Sequence, residues 1–381
     1  MKKTIYILLG VLSFGLLSCN DFLDEVPDNR TEIKTKDDVK NLLVSAYPNA
    51  TYFYICEMAS DNTDESEGSA WEFDVLQREA FSWGKITDVF WDSPHFIWEE
   101  CYTAIAAANV AIEFIENSDN PESLNAQLGE ALLCRAYSHF ILVNLFSKHF
   151  SSTSDTDLGI PYITQPETTV NPPRERGTVA KVYENILADL TKGLPLIDNN
   201  SYVIPKYRFN KEAVYAFAAR IYLYLGEMDE VIEYANKVLG TGVPSKLRDW
   251  AYSGSLGVNY DFQPNEYIEV DNPATLLNIS ALSSWGYIGG PYSLGRRYTH
   301  TEMISATETM ETLTPWGNMG DPGFVNQGVF TNPDVNKVIC RKIAGYFKSH
   351  DPIAGTGERY NINVPFTTDE LLLCRAEAYI R

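Results

Sequence analysis

The residues of this chain best placed to do chemistry are aromatic, and two stretches gather them among glycines. Trp71, Phe73 and Trp83 stand in one; Trp285, Tyr287, Tyr292, Arg296, Tyr298, Trp316 and Asn318 stand in the other. The run Ser284-Trp285-Gly286-Tyr287-Ile288-Gly289-Gly290-Pro291-Tyr292 is the most concentrated. A glycine beside a ring leaves the ring uncovered and lets backbone approach a bound molecule. Flat rings with Arg and Asn beside them hold a ligand by stacking and hydrogen bonding, and need break no bond. The alternative is that the rings pin long loops to a scaffold, as tryptophan commonly does. Trp91 and Trp98 adjoin a helix start and are expected in the core.

Catalytic constellations are thin. His95, His139, His149, His300 and His350 are scattered, with no HExxH and no paired metal spacing. No GxSxG, phosphate-binding glycine loop or GxGxxG opening a helix occurs. His139 lies on an apolar helix face and reads as a satisfied core residue. The densest acidic run is Asp61 to Glu67. On calcium-loop spacing Asp61, Thr63, Glu65 and Glu72 take ligand positions, but Ser66 stands where the turn glycine belongs. A solvated loop is the other reading, and no metal or other cofactor is expected. Past Cys19 the cysteines are Cys56, Cys101, Cys134, Cys340 and Cys374, without any CxxC, so neither a disulfide framework nor a zinc site is implied. Cys134 and Cys374 sit in apolar helical runs and are expected to be buried and inert.

The elements that must position these groups belong to a chain of 381 residues, 45% hydrophobic and 21% charged, long enough for a sizeable core. Its net charge of −21, without a basic stripe, excludes nucleic acid as a partner. Lys2 and Lys3 precede the apolar run Ile5 to Leu17, a signal peptide too short to span a bilayer. Leu16 and Ser18 stand at −3 and −1 from Cys19, which makes a lipobox: residues 1–18 are expected to be removed and Cys19 acylated. An ordinary secretory cleavage near Ser18 is the alternative. The mature part, 19–381, is expected to be one domain.

Five stretches carry helical periodicity: roughly 36–47, 96–117, 122–148, 178–197 and 211–240. The last contains Tyr222, Gly226, Glu230, Ile232, Tyr234 and Leu239 at tetratricopeptide spacing, with Gly226 between two helices. Val231 and Val238 stand where that repeat prefers alanine, which predicts looser or displaced packing. Leu132-Leu133-Cys134-Arg135-Ala136 recurs as Leu372-Leu373-Cys374-Arg375-Ala376, and more loosely around Arg220. Each of these arginines is expected to pair with an acid between helices. The fold class is therefore all-α: helix pairs form a scaffold over about 30–48, 96–148, 178–240 and 369–381. Loop-rich insertions fill about 49–95 and 241–368, and any strands there should be short.

The chain resembles the SusD/RagB family of outer-membrane lipoproteins of Bacteroidetes. The resemblance rests on Cys19 with Asn20-Asp21-Phe22-Leu23-Asp24, and on Tyr102, Ile105 and Asn109 within Trp98 to Ile115. Leu132 to Leu145, Gly159-Ile160-Pro161-Tyr162, Thr178 to Leu196, the pair 211–240 and Leu371 to Arg381 follow in the family's order. The chain stops at Arg381 within the first helix of another pair, where family members continue, which implies a chain lacking its last helices.

That resemblance implies a lipid-anchored protein of the outer-membrane surface. It would capture oligosaccharide or polysaccharide for a partner SusC-like TonB-dependent transporter and catalyse nothing. Sugar rings present apolar C–H faces, so Trp71, Trp83, Trp285, Tyr287, Tyr292, Arg296, Trp316 and Asn318 become the candidate ligand-binding residues. The acidic balance favours neutral glycans. Two other readings stand: a RagB-like peptide binder or helix-repeat interaction module, and a glycoside hydrolase, which needs only two carboxylates at the right separation.

Overall fold

The structure, a computed structural model, describes residues 33–66, 74–167, 173–257, 262–286, 297–314, 317–318, 329–332 and 336–381. The signal peptide and Cys19 lie outside them. Two compact units divide the chain, Met1–Asp38 and Val39–Arg381. In the first, the amide of Thr35 donates to the Asp38 carboxylate at 2.8 Å and the Asp38 amide donates back to Thr35 Oγ1 at 3.2 Å. This reciprocal cap starts the first helix.

Helices in chain order are α1 (Lys36–Leu42), α2 (Phe53–Met58), α3 (Val75–Phe81), α4 (Pro94–Glu116), α5 (Asn125–Phe146) and α6 (Val179–Gly193). They continue as α7 (Lys211–Leu225), α8 (Met228–Leu239), α9 (Trp250–Ser255), α10 (Phe262–Tyr267) and α11 (Thr368–Ile380). All five stretches with helical periodicity are helical. Asn120-Pro121 breaks α4 from α5, and Gly226, at φ +81° where other residues are strained, closes α7.

The scaffold centres on α5. Every residue from Gln127 to Val143 is buried, so the helix has no solvent side and its polar residues must find partners inside. Arg135 donates to both oxygens of Asp189 on α6, at 2.8 and 2.7 Å, and to Asn109 Oδ1 on α4 at 2.8 Å. One turn on, His139 Nδ1 lies 2.8 Å from the Arg135 carbonyl, while Nε2 accepts the Ile163 amide at 3.1 Å. Burial pushes the His139 pKa down to about 3, so the ring stays neutral, with its proton on Nδ1. Tyr162 stacks on it at 3.8 Å and donates to Asp189 at 2.6 Å. The core reading of His139 is thus correct. Gly129 and Gly193 let α5 and α6 cross in contact: a Cβ on Gly129 would lie 2.8 Å from the Gly193 carbonyl.

The α7–α8 pair is held by Tyr222 stacked on Tyr234 at 5.6 Å, and Val231 is fully buried. α11 packs on both helices. Arg220 chelates Glu370 at 2.7 and 2.6 Å, donates to the Pro365 carbonyl and lies 4.3 Å from the centre of the Phe366 ring. Arg375 corrects the expectation of an acid partner. It donates to Asn236 Oδ1 at 2.8 Å and to the Gly240 carbonyl at 2.6 Å. The open carbonyls and negative dipole at the end of α8 take the place of a carboxylate.

All described strands fall in the two insertions. They are β1 (Asp64–Glu65), β2 (Thr275–Leu282), β3 (Tyr298–Thr299), β4 (Leu313–Thr314), β5 (Gly317–Asn318), β6 (Val329–Asn332), β7 (Lys337–Cys340), β8 (Tyr346–Asp351) and β9 (Thr356–Thr367). β9, at 12 residues, is longer than expected because it pairs on both edges, in the antiparallel order β2-β9-β8. Its last aromatic, Phe366, is fully buried among Tyr137, Phe209 and Phe217, which docks the sheet on the helices.

Removing one partner of a buried ion pair leaves the other uncompensated. Arg135→Met should lower stability by about 3–5 kcal/mol, read from urea unfolding, and the double variant with Asp189→Leu should recover a substantial part.

Candidate ligand-binding surface

Trp83 is the most exposed ring among the described residues of the first insertion. The Asp74 carboxylate accepts the Leu76 amide at 2.9 Å and starts α3; the helix ends two residues before Trp83. The Glu79 carboxylate then accepts the amide and the hydroxyl of Thr87 at 2.7 and 2.9 Å, folding residues 82–87 back on their own helix. Those bonds also hold the Glu79 carboxyl below its ordinary pKa, the Thr87 amide contributing most. Trp83 is left 82% exposed at φ +52°, a conformation that costs about 1–2 kcal/mol in a residue with a Cβ. Val89 and Phe90 on the same loop are exposed as well.

Trp285 is placed differently. Its ring is half-buried, tilted 5.8 Å from Tyr54, and its indole nitrogen is buried without a hydrogen-bond partner among the described residues. Its backbone amide donates to Ser283 Oγ at 3.0 Å. The fully buried Asp92 accepts the Ser283 hydroxyl at 2.6 Å and the Ser284 amide at 2.8 Å, so one carboxyl ties the two insertions together. Burial pushes the Asp92 pKa up to about 7 against those hydrogen bonds, with Asp74 and Asp88 adding to the rise. Asp92 itself sits at φ +66°.

Trp71, Tyr287, Tyr292, Arg296 and Trp316, with Phe73, lie outside the described residues. Asn318 pairs through β5 with Leu313 of β4, and its side chain is not among those described. Tyr298 is buried and stacks on Phe81 at 4.4 Å. Trp98 packs half-buried against Tyr102 and Phe146, and Trp91 is half-buried. The residues at calcium-loop spacing point elsewhere. Thr63 Oγ1 donates to the Glu57 carbonyl at 2.8 Å and Glu65 pairs with Arg297 at 2.7 Å, while Glu72 lies outside the described residues. No group of three metal-ligating side chains occurs among the described residues. Cys101, Cys134 and Cys374 are buried free thiols, and burial pushes their pKa values up.

One cluster escaped the sequence reading. The Arg248 guanidinium lies 4.1 Å from the Tyr267 ring centre and 5.8 Å from that of Trp250; Lys342 Nζ lies 5.7 and 5.5 Å from the same rings. The signal available was Arg248-Asp249-Trp250-Ala251-Tyr252, an aromatic-basic run on the edge of the second insertion.

Residues 21–223 match the family model described as "Starch-binding associating with outer membrane", more than half of the chain. The chain belongs to the SusD-like family. SusD-like protein P38 of Formosa agariphila is 27% identical over 237 residues, which are 59% of this chain and 42% of that protein, so the match spans less than half the relative's length. A SusD superfamily protein of Bacteroides vulgatus has the same fold, with a TM-score of 0.62 at 22% identity over 91% of this chain and 76% of that one. A laminarin binding SusD-like protein superposes with a TM-score of 0.57 at 16% identity, over 91% and 81% of the two chains. The SusD-like match takes in the Arg135 clamp and the Trp83 loop alike.

Asp92 gives this SusD-like chain a defined pH response. Its folded pKa of about 7 exceeds the ordinary 3.8, so the folded state keeps a proton that the unfolded state has lost. Its contribution should be constant below about pH 4, fall by up to ~1.4 kcal/mol per pH unit between there and pH 7, and level off above. In urea midpoints against pH, Asp92→Asn should remove that decline.

Proposed function

We propose that this chain captures oligosaccharide or polysaccharide at the outer-membrane surface and passes it to a SusC-like TonB-dependent transporter, making and breaking no bond. Trp83 carries the reading: an indole face held out to solvent in a strained backbone conformation suits the apolar face of a sugar ring. The family description and the laminarin-binding relative of the same fold support it. Acylation of Cys19 would tether the body to the membrane, with several acyl chains anchoring where one would not. The net charge of −21 opposes sulfated and uronate chains and favours neutral glycans.

The test is mobility retardation in native gels cast with starch, laminarin, xylan and heparin, with released reducing ends assayed in the same mixtures. Retardation by a neutral glycan without release is expected. Trp83→Gly should abolish it while raising the melting temperature, since glycine accepts the positive φ at no steric cost. Retardation that survives this variant would place the platform elsewhere. Reducing ends released over time would favour a glycoside hydrolase. No retardation by any glycan would favour a peptide or protein ligand.

A further inference from the structure

A cavity of about 470 Å³ opens where the turn before α7, the end of α8 and the start of β2 meet. Small-ligand sites span about 300–1,000 Å³. Val203, Ile204, Val238 and Leu276 form its apolar walls, graded from fully exposed at Val203 to buried at Leu276. No aromatic ring lines it among the described residues, so it lacks the flat platform on which a sugar stacks.

Two lysines and two acidic residues, Lys206, Lys246, Glu212 and Asp271, line the same recess. Lys206 is half-buried and donates to the Asn272 carbonyl, which leaves two of its three protons for another acceptor. Burial lowers its pKa, and Arg248 and Lys246 add to this, while Asp271 and Glu212 act the other way. Lys246 and Asp271 are exposed, and neither joins an ion pair among the described residues. Glu212 accepts from Asn199 through Oε2 at 3.2 Å, and its Oε1 accepts no hydrogen bond among the described residues. The remaining amide, Asn210, is spent on the Leu276 carbonyl and on capping α7. An anion alone would satisfy the lysines and face two carboxylates; a cation alone would meet the reverse. A ligand carrying both charges on an aliphatic body satisfies all four groups.

We propose that this cavity binds a small zwitterion with a branched aliphatic side chain, an α-amino acid of the leucine type. Lys206 and Lys246 take its carboxylate, Asp271 and Glu212 its ammonium, and Val238 and Leu276 its side chain.

Isothermal titration of the full chain with leucine tests this, with acetyl-leucine and leucinamide as comparisons. Saturable leucine binding is expected, weakened about tenfold or more when either charge is capped. Lys246→Met and Asp271→Asn change exposed side chains and should keep the far-ultraviolet circular dichroism spectrum and melting temperature. Each should weaken leucine about fivefold or more and leave polysaccharide retardation unchanged. No saturation by about 10 mM leucine, or equal affinity for the capped analogues, overturns the assignment. Retardation lost in Lys246→Met would assign the cavity to the glycan instead and overturn it too.

Discussion

Arg135 carries a full positive charge into a helix that has no solvent-facing side, and three other segments are arranged around the need to neutralise it. α6 brings Asp189, α4 brings Asn109, and the segment after Ile160 brings the Thr164 carbonyl and Tyr162. An isolated charge there would cost several kcal/mol, so only the register that delivers all of these partners is tolerable. An aliphatic residue would tolerate α6 sliding by a turn along α5; Arg135 does not. The neutral His139, one turn further, extends the same constraint to the backbone of Ile163.

The insertions are fastened by comparable devices on a smaller scale. Arg220 joins α7 to the start of α11 through Glu370 and covers the ring of Phe366, so the sheet and the last helix settle together. Asp92 performs the equivalent task between the loop of Trp83 and that of Trp285. The surface is therefore anchored by buried polar groups, and the most exposed indole among the described residues projects from a turn whose own hydrogen bonds are local.

The helical scaffold was legible because its signals are local. Apolar spacing, Asn120-Pro121, and Gly226 act within a few residues, and the repeated Leu-Cys-Arg-Ala marked buried arginines before any partner was known. What Arg375 binds was not legible, since a helix end offers no residue type to recognise. The sheet was hidden by inverted polarity. In the stretch of β9 from Asn361 to Asn363 the two asparagines are buried, while Ile362 between them is less covered. An alternating pattern read by hydrophobicity points the strand the wrong way. The difference between Trp83 and Trp285 was also beyond reach. It depends on whether a carboxylate folds the loop back on its own helix, as Glu79 does, or draws it into a neighbour, as Asp92 does.

The pairing of Thr275 with Thr367 has a consequence for how the chain reaches this state. Helix hairpins close over short separations, whereas β2 must wait for a partner about ninety residues downstream, a loop closure that slows folding more than it weakens the product. Phe366 arrives with that late strand. Until it does, the rings of Tyr137, Phe209 and Phe217 border an unfilled apolar hollow in an otherwise assembled scaffold. A chain caught before that pairing would offer this hollow to the matching segment of another copy.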